Sequence, residues 1–152
     1  MVACAIDDNV QNHQLMLLHG AQGKGKSTFI RHLLPPELKD YYRNGMIIPE
    51  NNNHLLQLSS CLLINLDEFD TLSPERMQNL KSLITQDVVN ERKVYDIQNY
   101  TYIRRASFIA STNNPHCMPD VKENRRILFS TLLNIDYHTP VNHEGIYAQA
   151  YA

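Results

Sequence analysis

The 152-residue sequence has few cysteines and no excess of positive charge. Cys4, Cys61 and Cys117 are odd in number and far apart, so they indicate neither a disulfide framework nor a zinc site. His138 and His143 have no nearby cysteine pair, and we expect both to be ordinary surface residues. The formal net charge is −2, so any nucleic-acid contact must come from a local patch or from weak patches summed around an oligomer.

Long apolar runs and repeats are also missing. No run approaches the roughly 20 apolar residues that a membrane-spanning helix needs, and Asp7 and Asp8 lie where a signal peptide would be apolar. With 43% apolar and 20% charged residues, the composition is that of a globular protein of one domain. We therefore expect one cytoplasmic domain, 1–152, with no membrane partner. The helical pattern after Val141 stops without a cap, which suggests a domain cut from a longer chain.

One stretch matches a complete phosphate-binding loop of the form G-x-x-x-x-G-K-[ST]. A short apolar strand precedes it, and a helix that must end at Pro35-Pro36 follows it. Glycines let successive N–H groups turn towards an anion, and the helix start adds a positive dipole end. Lys26 would reach the β and γ phosphates, and the Ser27 hydroxyl would hold Mg²⁺. The expected ATP-binding residues are Gly20, Gln22, Gly23, Lys24, Gly25, Lys26, Ser27 and Thr28.

Hydrophobic patterning predicts the elements around this loop. Ser73 should cap a helix with Pro74 at its first position and a buried stripe of Met77, Leu80, Leu83, Ile84 and Val88. The segment from Glu37 to Asn44 is interpreted as a connection, and 46–48 as a short second strand. Buried strands are predicted at 14–19, 61–66, 106–111 and 127–129, and helices at 28–34, 54–58 and 141–152. Together they predict an α/β fold with a parallel sheet covered by helices.

The segment 89–105 differs from the rest of the chain in its alternating pattern and its basic residues, and it is predicted to be a hairpin insertion. Residues 94–97 and 100–103 alternate around Gln98-Asn99. Arg92, Lys93, Arg104 and Arg105 flank it, with tyrosines between them. Such cations can follow the phosphates of single-stranded DNA while a tyrosine stacks on a base. The alternative is a solvated hairpin whose tyrosines pack on the sheet.

Three further positions suggest catalysis. Asp67 and Glu68 end a buried strand, where Asp67 could complete a Mg²⁺ site and Glu68 could polarise the attacking water. Asn113 ends another buried strand and could hold that water or a γ-phosphate oxygen. Arg125 and Arg126 precede an apolar strand and could act as an arginine finger. Taken alone, each position also fits an ordinary turn or a solvated pair.

The motifs in this order resemble the virulence-associated protein E family, a branch of the superfamily 3 helicase-like AAA+ ATPases often found beside primases in phages and mobile elements. The resemblance covers about residues 15–150 and rests on Gly-Ala-Gln-Gly-Lys-Gly-Lys-Ser, Ile-Asn-Leu-Asp-Glu-Phe-Asp, Ala-Ser-Thr-Asn-Asn-Pro and Glu-Asn-Arg-Arg. It implies Walker A at Lys26 and Ser27, Walker B at Asp67 and Glu68, sensor 1 at Asn113, and a finger at Arg126 or Arg125 acting on a neighbour's ATP. Lys93-Val94-Tyr95-Asp96 lacks the glycine expected at the family's hairpin.

The resemblance further implies the sheet order 5-1-4-3-2, a hexameric ring and an ATP-driven motor on single-stranded DNA. No primase segment is present, although a parent chain could carry one. Two alternatives stay open. One is a nucleotide-gated switch or loader without helicase activity. The other is a P-loop small-molecule kinase, for which the sequence supplies no clear lid.

Overall fold

The computed structural model describes residues 1–45, 52–67, 69–91, 98–117 and 125–152. Its strands are β1 (Leu15–His19), β2 (Tyr42–Asn44), β3 (Leu63–Leu66), β4 (Val88–Glu91), β5 (Tyr100–Ile103), β6 (Ser107–Thr112) and β7 (Ile127–Thr131). Its helices are α1 (Val2–Ile6), α2 (Lys26–Arg31), α3 (Asn52–Ser60), α4 (Pro74–Ile84) and α5 (His143–Tyr151), with 3-10 turns at Pro36–Tyr41 and Phe69–Thr71.

Five strands form one sheet in the order β2-β3-β6-β1-β7, and every neighbouring pair is parallel. Leu15 at the start of β1 lies opposite Phe108 of β6 and Ile127 of β7. Because the strands run in one direction, all their carboxyl ends lie along the same edge. The predicted α/β fold with a central parallel sheet flanked by helices is confirmed.

Side-chain alternation along the strands assigns the two faces of the sheet. Leu17 belongs to one apolar cluster and its neighbour Leu18 to another, as expected when successive side chains point to opposite faces. Leu18 packs with Ile30 of α2. The opposite cluster holds residues from α3, α4 and the sheet, among them Leu58, Ile64, Leu66, Leu80, Leu83, Ile84, Phe108 and Ala110. Helices thus cover both faces, which explains why the inner strands β3 and β6 are buried along their whole length.

Most predicted elements are confirmed, with ends that shift by a few residues. Helix α4 begins as expected: the Ser73 hydroxyl accepts a hydrogen bond from the Arg76 N–H at 3.3 Å, and Pro74 follows the cap. It ends at Ile84, so the assignment of Val88 to the helical stripe is wrong. The Thr85 hydroxyl donates to the carbonyls of Lys81 and Ser82 at the end of the helix, and Val88 opens β4.

Two other segments differ from the prediction. Helix α2 ends at Arg31 rather than at residue 34, because the N–H groups of His32 and Leu33 already make tighter turns to carbonyls three residues back. The interpretation of 37–44 as a connection is wrong in part. Its last three residues form β2, which pairs with β3 at the edge of the sheet. The expected second strand at 46–48 lies outside the described residues.

Strands β4 and β5 form a separate antiparallel pair, with Val88 opposite Ile103 and Glu91 opposite Tyr100. Strand β5 matches the strand predicted at 100–103. Its partner is β4 at 88–91 and not the predicted segment 94–97. The segment 94–97, predicted as the first strand of the hairpin, lies outside the described residues. Tyr100 is exposed, and Tyr102 is half-buried against the core.

Candidate active site

The glycine loop follows β1 at the carboxyl edge of the sheet. Gly23 and Gly25 have φ angles of 76° and 78°, a left-handed region in which any other residue is strained. Gly25 is the N-cap of α2, and Lys26 is the first residue of that helix. The backbone therefore has the turn that a phosphate-binding loop requires, at the start of a helix.

Lys26 is the central side chain of this loop. It is only 7% exposed. Its ammonium donates hydrogen bonds to the carbonyls of Gly20 and Ala21 at 2.6 and 2.9 Å, and to Oδ1 of Asn113 at 2.6 Å. These hydrogen bonds bring the glycine loop and the end of β6 together. In the sequence the two were related only by the order of their motifs. Three oxygen acceptors satisfy the buried charge.

Two acidic residues, Asp67 and Asp70, lie near Lys26. The Asp67 carboxylate, just after β3, accepts a hydrogen bond from the Ser111 hydroxyl at 3.2 Å, and Asp70 accepts one from Thr112 at 3.1 Å. Burial lowers the pKa of Lys26, and the negative charges of Asp67 and Asp70 partly offset that effect. The ammonium is therefore desolvated, and the two carboxylates favour its charged form.

A cavity of about 350 Å³ opens over the loop. It is lined by residues 22–28 together with Asp67, Ser111, Asn113 and Tyr137. A second cavity of about 280 Å³ is lined by Asp67, Ser111 and Asn113 again, with Asp70, Thr71 and Thr112. The larger cavity is within the size range of small-ligand sites. Every described residue of the predicted ATP site except Gly20 lines it, while Glu68 lies outside the described residues.

Sequence reasoning missed several residues of this site. Ser111 and Thr112 stand directly before Asn113, and their place at the end of a buried strand could have revealed them. Asp70 follows the predicted acidic pair. Tyr137 had no such signal, because it is a single aromatic residue in a polar segment more than a hundred residues after the loop.

Arg125 and Arg126 lie at the opposite edge of the sheet. The Arg126 carbonyl accepts the N–H of Leu15, the first residue of β1, so both arginines stand where the parallel strands begin. Arg125 is exposed. Arg126 is half-buried, and its Nε is buried without an acceptor among the described residues. Neither arginine lines the cavity of its own chain.

The assignment of Arg104 to a nucleic-acid surface is wrong. Its side chain is 1% exposed, and its guanidinium donates to the carbonyls of Gln86, Ala106 and Asn12. It also lies over the ring of Phe108, 5.9 Å from the centroid. Burial lowers the pKa of Arg104. Arg104 therefore joins three backbone segments inside the fold and offers nothing to an outside phosphate.

Arg105 is also occupied within the chain. Its guanidinium forms an ion pair with Asp8 at 2.6 Å and donates to the carbonyls of Cys4 and Ala5. These contacts hold the N-terminal helix α1 against the start of β6. They compete with any phosphate for Arg105. The remaining cations of the predicted DNA surface, Arg92 and Lys93, lie outside the described residues.

The sequence indicated neither a zinc site nor a membrane-spanning helix, and both points can be examined in the described part of the chain. Within it, no group of three or more histidine, cysteine, aspartate or glutamate residues is placed to hold a metal ion. No helix in those ranges has the length and apolar character needed to cross a bilayer.

The fold and the loop together define a class: an α/β domain with a glycine loop, a buried lysine and a carboxylate at the carboxyl edge of a parallel sheet. The family model of the virulence-associated protein E-like domain matches residues 1–152. The chain belongs to this family, which confirms the resemblance seen in the motifs.

Solved structures with a similar fold include two of the same protein region. One is described as the A form apo structure of the NrS-1 C-terminal region (305–718), with 17% identity and a TM-score of 0.58 over 92% of this chain and 34% of that one. Another, the apo structure of the same region, has 14% identity and a TM-score of 0.59 over 91% and 34%. This chain therefore spans about a third of those structures. No curated protein matches it by sequence.

The two left-handed glycines provide a matched test of the loop. A Cβ on Gly25 would lie 2.0 Å from a ring carbon of Tyr137, whereas one on Gly23 would meet nothing within 4 Å. Both alanine variants should lose about 1–2 kcal/mol of unfolding free energy from backbone strain. Gly25→Ala should lose clearly more, because the ring must also move.

Denaturant unfolding without nucleotide measures this difference. In a Tyr137→Ala background, Gly25→Ala should cost no more unfolding free energy than Gly23→Ala. The cost of Gly23→Ala should be the same with or without the Tyr137 ring. Equal losses in the two single variants would show that the Tyr137 ring does not press on the loop.

Proposed function

We propose that this chain is the ATP-hydrolysing motor domain of a superfamily 3-like AAA+ DNA helicase, associated with primases in phages or mobile elements. The observation that carries the proposal is the position of Lys26. Its ammonium is hydrogen-bonded to the glycine loop and to Asn113 and lies near the carboxylates of Asp67 and Asp70, and Lys26 lines a cavity of suitable size. A triphosphate with Mg²⁺ requires a cation, an amide and a carboxylate gathered in this way.

The strand order supports the AAA+ part of this proposal. When only the five strands of the central sheet are numbered along the chain, the order read from the β7 edge is 5-1-4-3-2. The hairpin of β4 and β5 then counts as an insertion between the third and fourth core strands. In this order the central strand β6, which Asn113 follows directly, lies between β1, which leads to the loop, and β3, which leads to Asp67.

The residues present fit a magnesium-nucleotide complex. Gly23 and Gly25 give the loop its left-handed turns, and Ser27 and Asp67 both line the cavity. Ser27 and Asp67 would hold Mg²⁺, which supplies positive charge beside the phosphates. Lys26 would bind the β and γ phosphates, and Asn113 would orient the γ phosphate or the attacking water. Glu68 would accept the proton of that water.

Single-stranded DNA remains the proposed nucleic-acid partner, and a homo-oligomeric ring, a hexamer, the proposed assembly. With Arg104 buried and Arg105 paired, the proposed DNA surface reduces to Arg92 and Lys93 with the exposed Tyr100. We also propose that the protein is cytoplasmic, because DNA replication in a phage host takes place there.

ATP hydrolysis measured with and without single-stranded DNA tests the motor function. DNA should stimulate hydrolysis, with the salt sensitivity of a phosphate contact. Hydrolysis that is slow and insensitive to DNA would instead indicate a nucleotide-gated switch. Phosphoryl transfer to an added small molecule would indicate a kinase.

Glu68→Gln separates binding from chemistry. The amide keeps the shape of the carboxylate but cannot accept a proton, so hydrolysis should fall by roughly 10²–10⁴-fold, as for a lost general base. Binding of MgATP, measured by calorimetry, should stay close to that of the native chain. Asp67→Asn serves as the comparison, because it should instead raise the magnesium concentration needed for activity. Normal hydrolysis by Glu68→Gln would make this residue structural.

A further inference from the structure

Two chemically different kinds of side chain line the cavity over the loop. Asp67 and Asn113 follow β3 and β6, which lie on one side of β1. Tyr137 follows β7, which lies on the other side. Its ring lies against Gly25, so close that a Cβ there would come within 2.0 Å of Cδ1 and 2.4 Å of Cε1. Charged and polar side chains thus come to the cavity from strands on one side of β1, and an aromatic ring comes from the segment after the strand on the other side.

A local turn fixes the position of Tyr137. The carboxylate of Asp136 accepts hydrogen bonds from the N–H groups of His138 and Thr139 at 3.1 Å and from the Thr139 hydroxyl at 2.6 Å. These hydrogen bonds lower the pKa of Asp136, so the carboxylate stays ionised and continues to accept them at more acidic pH than a free aspartate would. The ring of Tyr137 also lies 4.1 Å from that of His138, inclined by 37°. The tyrosine is thus presented to the cavity by a preformed loop.

We infer that Tyr137 is the base-binding residue of the site and that its ring stacks on the base of a purine nucleoside triphosphate. The inference rests on the proposed nucleotide function. A nucleoside triphosphate has a highly charged end and a flat, uncharged end, and the cavity offers a matching partner for each. The negative phosphates belong beside Lys26, which leaves the base beside the aromatic ring. A purine presents the larger flat surface and gains more from an offset stack.

Calorimetric binding of two ligands to the full chain tests this role. ATP carries a base, whereas inorganic tripolyphosphate carries only the charged end. Tyr137→Ala should weaken ATP binding on the order of tenfold, the effect of losing one base–aromatic stack. It should leave tripolyphosphate binding unchanged. Tyr137→Phe keeps the flat ring and should stay close to the native affinity for ATP, while Tyr137→Leu, which is apolar but not flat, should resemble alanine.

Tyr151→Ala is the matched control, because Tyr151 is 74% exposed on α5 and does not line the cavity. Tyr151→Ala should bind both ligands like the native chain. Unchanged ATP binding by Tyr137→Ala and Tyr137→Leu would overturn the inference. An equal weakening for both ligands would also overturn it, since the tyrosine would then only shape the loop. Tighter binding of both by Tyr137→Ala would show that the ring blocks the cavity.

The native chain provides the check on the proposed function itself. If it binds tripolyphosphate and ATP equally well, the phosphate loop is retained and only the base-binding role fails. If it binds neither ligand, the nucleotide function fails and the role of Tyr137 fails with it. A preference of the native chain for ATP over CTP that disappears in Tyr137→Ala would support the purine class.

Discussion

Replacing Lys26 with alanine is expected to abolish ATP hydrolysis and to weaken ATP binding while the domain stays folded. Lys26 is the buried cation of the loop, and its ammonium lies between the loop carbonyls and Asn113. Without nucleotide its removal costs hydrogen bonds worth about 1 kcal/mol each, but it also removes a desolvated charge. With nucleotide present, nothing replaces its attraction for the β and γ phosphates.

Lys39→Ala is the control for this experiment. Lys39 is an exposed lysine in the 3-10 turn Pro36–Tyr41, away from the cavity, and its removal should change neither binding nor hydrolysis. Calorimetry, a phosphate-release assay and thermal unfolding should be applied to both variants. Native hydrolysis by a well-folded Lys26→Ala protein would remove the loop from the proposed site.

Loss of the Arg126 guanidinium should stop hydrolysis and leave ATP binding intact. Strand β1 has five residues and spans roughly 16 Å, which is longer than an arginine side chain. Arg126 stands at its amino end and Lys26 beyond its carboxyl end, so Arg126 cannot serve the cavity of its own chain. In the proposed ring we expect it to face the nucleotide of the next subunit. Known arginine fingers contribute on the order of 10³–10⁵ in rate.

Mixing two inactive variants tests whether the finger acts between subunits. In a mixture of Arg126→Ala and Lys26→Ala, some interfaces combine an intact loop from one subunit with an intact arginine from the other. Part of the activity should therefore return. Arg125→Ala, made in parallel, decides which of the two neighbouring arginines is responsible. Full activity of Arg126→Ala, or of a chain that stays monomeric, would contradict a finger acting in trans.

The central sheet was predictable because its strands are buried on both faces. The core of each strand is apolar, with Leu17-Leu18 in β1 and Phe108-Ile109-Ala110 in β6, because helices cover both faces of the sheet. Strand β2 was not predictable in this way. It has three residues at the edge of the sheet, and its sequence, Tyr-Arg-Asn, contains no alternation that could distinguish it from a loop.

In the candidate site, too, some residues were predictable from the sequence and others were not. Lys26, Asp67 and Asn113 each follow a recognisable strand, so the rule that parallel strands end at one edge was sufficient to bring them together. Tyr137 comes from a segment without regular structure, where only the folded chain reveals its neighbour. Arg104 fails for another reason, because the sequence presents it as one of several hairpin cations. Its burial depends on carbonyls that come together from distant segments.

Arg104 has a mechanical consequence for the β4–β5 hairpin. One rigid guanidinium ties the carbonyl of Gln86, just before β4, to those of Asn12, just before β1, and Ala106, at the start of β6. Strands β1 and β6 lead at their other ends to the glycine loop and to Asn113. The base of the hairpin is thus clamped to the two strands that carry the cavity. A force applied to the hairpin would therefore be transmitted to β1 and β6, and the hairpin would not move independently of the sheet.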